Sequence, residues 1–166
     1  MRRFAILLLL NSGTVAAADF DLSVQIPQMK VIEYHKPYVA IWVEREDQSV
    51  AANLALWYAV RDKEGHKWLQ DLRQWWRRTG RSQKLPIDGV TGATRASGVH
   101  RLKFTSGARP LGTLKPGKYS IVVEAAREVG GRELVKLAFE WPVTGAVHVE
   151  SSGNTELGAV SLHITP

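Results

Sequence analysis

Apolar and polar residues alternate along much of the chain in the manner of β-strands. Every second residue from 20 to 26 is apolar, which predicts a strand with one buried face. Residues 38–44 and 52–60 are apolar nearly throughout and partly β-branched, which predicts two central strands covered on both faces. The charged residues 44–49 between them predict a solvated hairpin connection.

The second half of the chain continues this pattern. Residues 118–126 predict a strand, and residues 133–141 return after Gly130-Gly131 as its hairpin partner. Shorter candidates are 99–105, 147–149 and 157–164. Seven to nine short strands separated by turn signals are typical of all-β proteins, so we predict an Ig-like β-sandwich.

One segment departs from the strand pattern. The apolar residues between 68 and 78 follow the helical period, and cations fill the last turn before Gly80. The residues that share the apolar face are Trp68, Leu72, Trp75 and Trp76. We predict one short helical insertion, followed by a long Gly-rich loop over residues 80–97.

The N-terminus has the features of a secretory signal peptide. Arg2-Arg3 precede an apolar run over 4–10, and the small residues 16–18 follow. The apolar run is too short for a membrane anchor. We expect cleavage after Ala18 and a periplasmic protein of residues 19–166 that forms a single β-sandwich domain. The alternative is an uncleaved N-terminal helix.

Composition narrows the possible functions. Cleavage removes two arginines and no acid, so the net charge falls from +6 to +4, a mild balance that does not indicate nucleic-acid binding. The chain has no cysteine, which excludes disulfides and Cys-ligated metals or haem. Its five histidines show no ligand spacing, and no nucleophile motif is present, so we expect neither a metal site nor a hydrolase.

Residues 88–94 carry the chemistry of greatest interest, as Asp-Gly-Val-Thr-Gly-Ala-Thr. This segment resembles the acceptor motif of extracytoplasmic flavoproteins: Asp, two free positions, Ser or Thr, Gly, Ala, then the modified Thr or Ser. The residues that meet its fixed positions are Asp88, Thr91, Gly92, Ala93 and Thr94. The resemblance implies that an FMN transferase of the ApbE type takes FAD and joins FMN to Thr94 through a phosphoester.

The properties of these residues agree with such a role. An alcohol that must enter another enzyme needs little bulk beside it, and Gly92 and Ala93 supply this. The product is negatively charged, which favours nearby cations such as Arg95 and Arg101. Asp88 either orders the loop through backbone amides or contacts the metal of the transferase. The plain alternative is a Gly-rich turn between strands.

The whole chain after the signal is similar to a family of small predicted periplasmic proteins of unassigned function, encoded near FMN transferases and PepSY-type membrane reductases. The segments that carry this resemblance are 68–76, 88–94, 116–119 and 124–128. It implies that a membrane-bound reductase supplies electrons to a flavin held by this protein.

Two further sets of residues have open interpretations. Trp75 and Trp76 either stack against the flavin ring, with arginines 77, 78 and 81 close to its pyrimidine edge, or form the packing face of the helix. Arg127 falls on the apolar phase of its strand. We expect it to reach water or to pair with a carboxylate such as Glu128 or Glu133, a ligand being the alternative.

These observations predict a periplasmic flavoprotein that carries electrons and is more a carrier than a catalyst. Its FMN is attached to Thr94, and its partners are an FMN transferase and a membrane-bound reductase. A non-redox Ig-like periplasmic binding or interaction module is the alternative, because sandwiches host many functions.

Overall fold

A computed structural model describes residues 17–166, so the predicted signal peptide lies outside the described residues except for its last two positions. Nine strands are found within this range. They are β1 (Asp19–Ile26), β2 (Tyr38–Arg45), β3 (Val50–Tyr58), β4 (Thr91–Ala93), β5 (Gly98–Thr105), β6 (Gly117–Ala126), β7 (Arg132–Trp141), β8 (Val147–Ser152) and β9 (Ala159–Thr165).

The strands form two sheets, one in the order β5-β1-β9-β8 and the other in the order β4-β3-β2-β6-β7. β1, β2, β3, β5, β6 and β7 follow the connectivity of strands B, C, C′, E, F and G of an Ig sandwich. The C-terminal β9 pairs antiparallel with β1, where the first strand of an Ig domain lies. The predicted all-β, Ig-like sandwich is therefore confirmed.

The main core lies between the two sheets. Alternate residues of β1 and β9 face inward, as their two-residue apolar period requires. Phe20 of β1 contacts Phe139 and Trp141 of β7, with ring centroids 5.6 and 5.7 Å apart. This core fixes β1 against the opposite sheet and gives the molecule a rigid base.

A second apolar cluster covers the outer face of the five-stranded sheet. Its cover is the predicted helical insertion, but the single helix over 68–78 was wrong. The insertion is a 3₁₀ helix, Gly65–Asp71, followed by α1, Arg73–Arg78, because Leu72 has φ −75° and ψ 67° and breaks the helix. The break leaves Trp68 half exposed, whereas Leu72 and Trp75 are buried.

The buried carboxylate of Glu124, on β6, anchors this insertion to the sheet. Its oxygens accept hydrogen bonds from the backbone amides of Gln74 (3.0 Å) and Trp75 (2.8 Å) at the start of α1. Arg132 of β7 donates a third bond from Nε at 2.6 Å. Glu124 therefore caps α1 from a distant strand and satisfies amides that have no partner within the helix.

The turn of the β6–β7 hairpin is tied to the turn before β9. Arg127 donates to Glu156 from Nε (2.9 Å) and Nη2 (3.2 Å), and the two side chains are 7% and 2% exposed. The predicted pairing of Arg127 with a carboxylate is therefore confirmed, but the partner is Glu156 and not Glu128 or Glu133, because a turn far along the chain brings Glu156 to it. Glu133 instead accepts bonds from the amides of Asn154, Thr155 and Leu157.

Candidate functional site

The acceptor motif includes a strand at the edge of the five-stranded sheet. β4 runs parallel to β3, with Thr91 opposite Leu56 and Ala93 opposite Tyr58. The Leu56 amide donates to Val90 (3.0 Å), and the Thr94 amide donates to Tyr58 (3.2 Å). The prediction of a continuous loop over 80–97 was therefore wrong, because backbone pairing with β3 overrides the turn-forming composition of the motif.

A tight turn leads into this strand. The Thr91 amide donates to the Ile87 carbonyl, and the Ile87 amide donates to Thr91 Oγ1, each at 2.9 Å. Gly89, inside the turn, has φ +69°, a conformation that suits glycine. Thr91 therefore has a structural role in the motif, and Asp88 stands exposed on the turn.

Thr94 comes directly after β4 and is partly exposed. It lines a cleft of about 310 Å³ that opens between the end of β3, the 3₁₀ helix and the segment before β2. The two threonines of the motif therefore have different environments. The Thr91 hydroxyl closes a turn, whereas Thr94 borders an open cavity.

Aromatic side chains line the same cleft. Trp68 and Tyr34 are 50% and 38% exposed and offer apolar surface to solvent. Tyr38 is held in place, because its hydroxyl donates to the Gly65 carbonyl at 3.0 Å and its ring packs edge-on to Tyr58. The cleft therefore has two accessible aromatic groups and one fixed one.

Charged groups of both signs also line the cleft. The acids are Asp62, Asp71 and Glu128, and the basic residues are His35 and Lys36. His35 bridges two carboxylates, with Nε2 2.9 Å from Glu33 and Nδ1 3.4 Å from Glu128. Burial raises the pKa of Tyr38, and the negative charges of Asp62 and Glu128 raise it further.

Arg95 follows Thr94 and lies over the Trp57 ring, with Cζ 5.4 Å from the ring centroid. His100 meets the same indole edge-on at 5.6 Å and donates from Nε2 to the Ala96 carbonyl at 2.7 Å. These contacts order the chain just after the acceptor position and leave Arg95 exposed. Arg101 is exposed on β5.

The tryptophans expected beside a flavin occupy other positions. Trp75 is fully buried, and its Nε1 donates to Asn53 at 2.9 Å. Trp76 is partly buried and packs on the same cluster, 6.4 Å from Trp75. Neither lines the cleft, and Trp75 has no open ring face, so these positions agree with the packing interpretation.

The sequence analysis missed the aromatic wall of the cleft. Trp68 was assigned to the packing face of a continuous helix, and the break at Leu72 turns it outward. The segment 31–37 received no role. Its aromatic and basic residues, Tyr34, His35 and Lys36, between two strands were the available signal.

Among residues 17–166 no group of three or more His, Cys, Asp or Glu side chains is placed to hold a metal ion. Two of the five histidines do meet: His148 and His163 are cross-strand partners on β8 and β9, with ring centroids 6.1 Å apart. In the same range no helix is long and apolar enough to cross a membrane.

The family model described as "Predicted periplasmic protein (DUF2271)" matches residues 19–159. The chain belongs to this family. Its description confirms the predicted periplasmic location, and the matched range includes β4 with Thr94 (below, the acceptor edge) and the whole cleft lining. No curated protein and no solved structure matches the chain.

Proposed function

We propose that this periplasmic protein carries FMN, attached by a phosphoester to Thr94, and transfers electrons. The observation that carries the proposal is the position of Thr94. The residue that fills the acceptor slot of the motif is partly exposed, ends an edge strand and borders a cleft with accessible aromatic walls. A threonine sealed inside the sandwich would not be available to a second enzyme.

The attachment is a phosphoryl transfer without oxidation or reduction. The Thr94 hydroxyl attacks the phosphorus on the riboflavin side of FAD, the pyrophosphate bond breaks, and AMP leaves. The hydroxyl proton passes to a base of the FMN transferase. The new phosphodiester carries one negative charge, and the exposed guanidinium of Arg95 is the adjacent cation of this chain.

The cleft suits a flavin in size and chemistry. Its volume of about 310 Å³ lies at the lower end of the range for ligand pockets, about 300–1,000 Å³, so part of the ring system would remain exposed. Trp68 and Tyr34 offer faces for a flat, mostly apolar ring. Bound FMN supplies one- and two-electron chemistry, and partial exposure favours exchange with partners.

The charges of the cleft favour a particular shift in the reduction potential of the proposed flavin. Asp62, Asp71 and Glu128 disfavour added negative charge, whereas Lys36 offsets part of this effect. We infer a carrier of lowered reduction potential. A membrane-bound reductase is the proposed donor, and covalent attachment prevents loss of the cofactor outside the cytoplasm.

The test is periplasmic expression with an FMN transferase. We expect yellow fluorescence that survives denaturation, and a mass increase of one FMN less one water. Thr94→Ala should abolish both signals and Thr94→Ser should retain some. Thr113→Ala, which alters an exposed threonine outside the motif, is the matched control and should behave as the wild type.

Colourless wild-type protein from a transferase-competent host would contradict the proposal. It would favour the second candidate, a non-redox periplasmic interaction module. The observation behind that candidate is the exposure of the apolar side chains of Val31, Ile32 and Val129, which would be covered by contact with another protein.

A further inference from the structure

β4 is the edge strand of its sheet, and among residues 17–166 no strand pairs with the side of β4 that faces away from β3. Backbone groups alternate in direction along a strand, and those of Val90 and Thr94 point to β3. Gly92 therefore points to β3, whereas Thr91 and Ala93 point outward. The Thr91 amide is used by Ile87, which leaves the Thr91 carbonyl and both groups of Ala93 on the open edge.

The fold itself does not require glycine at position 92. A Cβ added there would lie 3.6 Å from Trp57 Cδ1, an ordinary van der Waals contact, and Gly92 has no positive φ. Gly89 in the same motif differs, because its φ of +69° does favour glycine. The bare backbone at position 92 is therefore explained better by close approach from outside the chain.

We propose that the FMN transferase engages this edge by β-strand addition, pairing an extended segment of its own with Thr91 and Ala93. This inference rests on the proposed function, since it concerns how the same site is recognised. Main-chain bonds would supply the affinity, and the small side chains of Gly92 and Ala93 would permit the approach. Thr94, the next residue, would then be delivered to the active site at the end of the paired segment.

Charge complementarity identifies an FAD-loaded transferase as the occupant. The pyrophosphate of FAD is anionic, and the exposed Arg95 directly follows the acceptor threonine. Its position over the Trp57 ring, 5.4 Å from the centroid, holds the cation close to the end of β4. A partner that brings phosphate to this end of the edge therefore meets a placed positive charge.

Ala93→Pro tests the pairing directly. Proline removes the outward amide of residue 93 but no bond to β3, so an edge strand tolerates it. We expect the initial rate of FMN transfer from FAD to fall at least tenfold. Ala146→Ser, at an exposed alanine outside β4 and the motif, leaves the edge intact and should stay within twofold of the wild-type rate. Thermal unfolding of each variant shows whether the fold is intact.

A folded Ala93→Pro protein that is modified at the wild-type rate would overturn strand addition and leave the proposed function standing. An unmodified wild-type protein would overturn the proposed function itself. Should Ala93→Pro not fold, hydrogen exchange decides the matter. The Ala93 amide of the Thr94→Ala protein should be protected by FAD-loaded transferase, and unchanged exchange at Ala93 would contradict the pairing.

Discussion

The acceptor edge and the Glu124 anchor both present polar groups on the five-stranded sheet. These groups differ in burial and in their hydrogen-bond partners. The Glu124 carboxylate is fully buried and accepts bonds from two amides and Arg132. At the acceptor edge, Thr94 and the outward backbone of Ala93 face a cleft and solvent. The polar groups of the anchor are satisfied within the chain, whereas at the edge Thr94 borders the cleft and Ala93 is exposed.

The two threonines of the motif repeat this difference over three residues. Thr91 accepts a bond from the Ile87 amide and closes the turn, whereas Thr94 borders the cleft. Residue type alone does not separate a structural hydroxyl from a reactive one. The hydrogen bonds of each hydroxyl distinguish the two cases, because a hydroxyl that is hydrogen-bonded within the fold is not available to a second enzyme.

The largest effect is expected at the anchor. Glu124→Ala leaves the Gln74 and Trp75 amides without their acceptor and removes the partner of Arg132. We expect a loss of about 3 kcal/mol or more in the free energy of unfolding, measured by urea denaturation. Glu140→Ala, at an exposed position of β7, should change it by less than about 0.5 kcal/mol. Equal effects would contradict the role of the anchor.

A second structural carboxylate gives a pH-dependent prediction. Burial alone would raise the pKa of Glu133, but the amides of Asn154, Leu157 and Thr155 lower it below its ordinary value of 4.5. A lowered pKa means that this group stabilises the fold above 4.5 and loses its contribution as the pH falls through the folded-state value.

Glu133→Gln should therefore cost about 1 kcal/mol at pH 7, and this difference should shrink as both proteins are brought below pH 4. The measurement is urea denaturation of both proteins across this range. A cost that grows on acidification would contradict the assignment.

Thr91→Ala should have a smaller effect, and it should change stability more than it changes flavin attachment. Loss of the bond to the Ile87 amide should cost about 1 kcal/mol of stability. The acceptor alcohol remains, so flavin should still be attached at Thr94, at a reduced rate. Thr94→Ala should show the reverse, with near wild-type stability and no flavin. Complete loss of flavin attachment in a folded Thr91→Ala protein would contradict the purely structural role of the Thr91 hydroxyl.

The smallest effect concerns the cleft. Asp62→Asn removes one negative charge from the wall that holds Thr94, and a reduced cofactor should be easier to form. We expect the reduction potential of the flavin-loaded protein to rise on the order of tens of millivolts, because exposure screens the charge. Asp47→Asn, at an exposed hairpin, should leave the potential unchanged. A fall in potential would contradict the inferred tuning.

The sandwich could be predicted from sequence because its longer strands carry their period locally. The burial of residues 20–26 alternates with their apolar spacing, and residues 121–126 are buried throughout as a mostly apolar run. β4 could not be predicted, because it is three residues long and exists through parallel pairing with β3. The partner of Arg127 could not be predicted for a similar reason, because Glu156 lies in a turn 29 residues further along the chain.

The candidate site was accessible to sequence reasoning only in part. The motif predicts Thr94 and its small neighbours as the attachment site, because the resemblance depends on residue type alone. The cleft beside Thr94 is formed by segments that lie far apart in the sequence, and Tyr34 and Trp68 are its aromatic wall. Trp75 illustrates the limit: its place on a helical face favoured packing but left cofactor contact open, and its full burial with Nε1 bonded to Asn53 agrees with packing.

Peptide mapping tests the central claim most directly. Trypsin should release residues 85–95, which contain both Thr91 and Thr94 and no internal Lys or Arg. From transferase-modified protein, this peptide should carry one FMN, and fragmentation should place it on Thr94. An FMN on Thr91, on any other peptide, or on none at all would contradict the account.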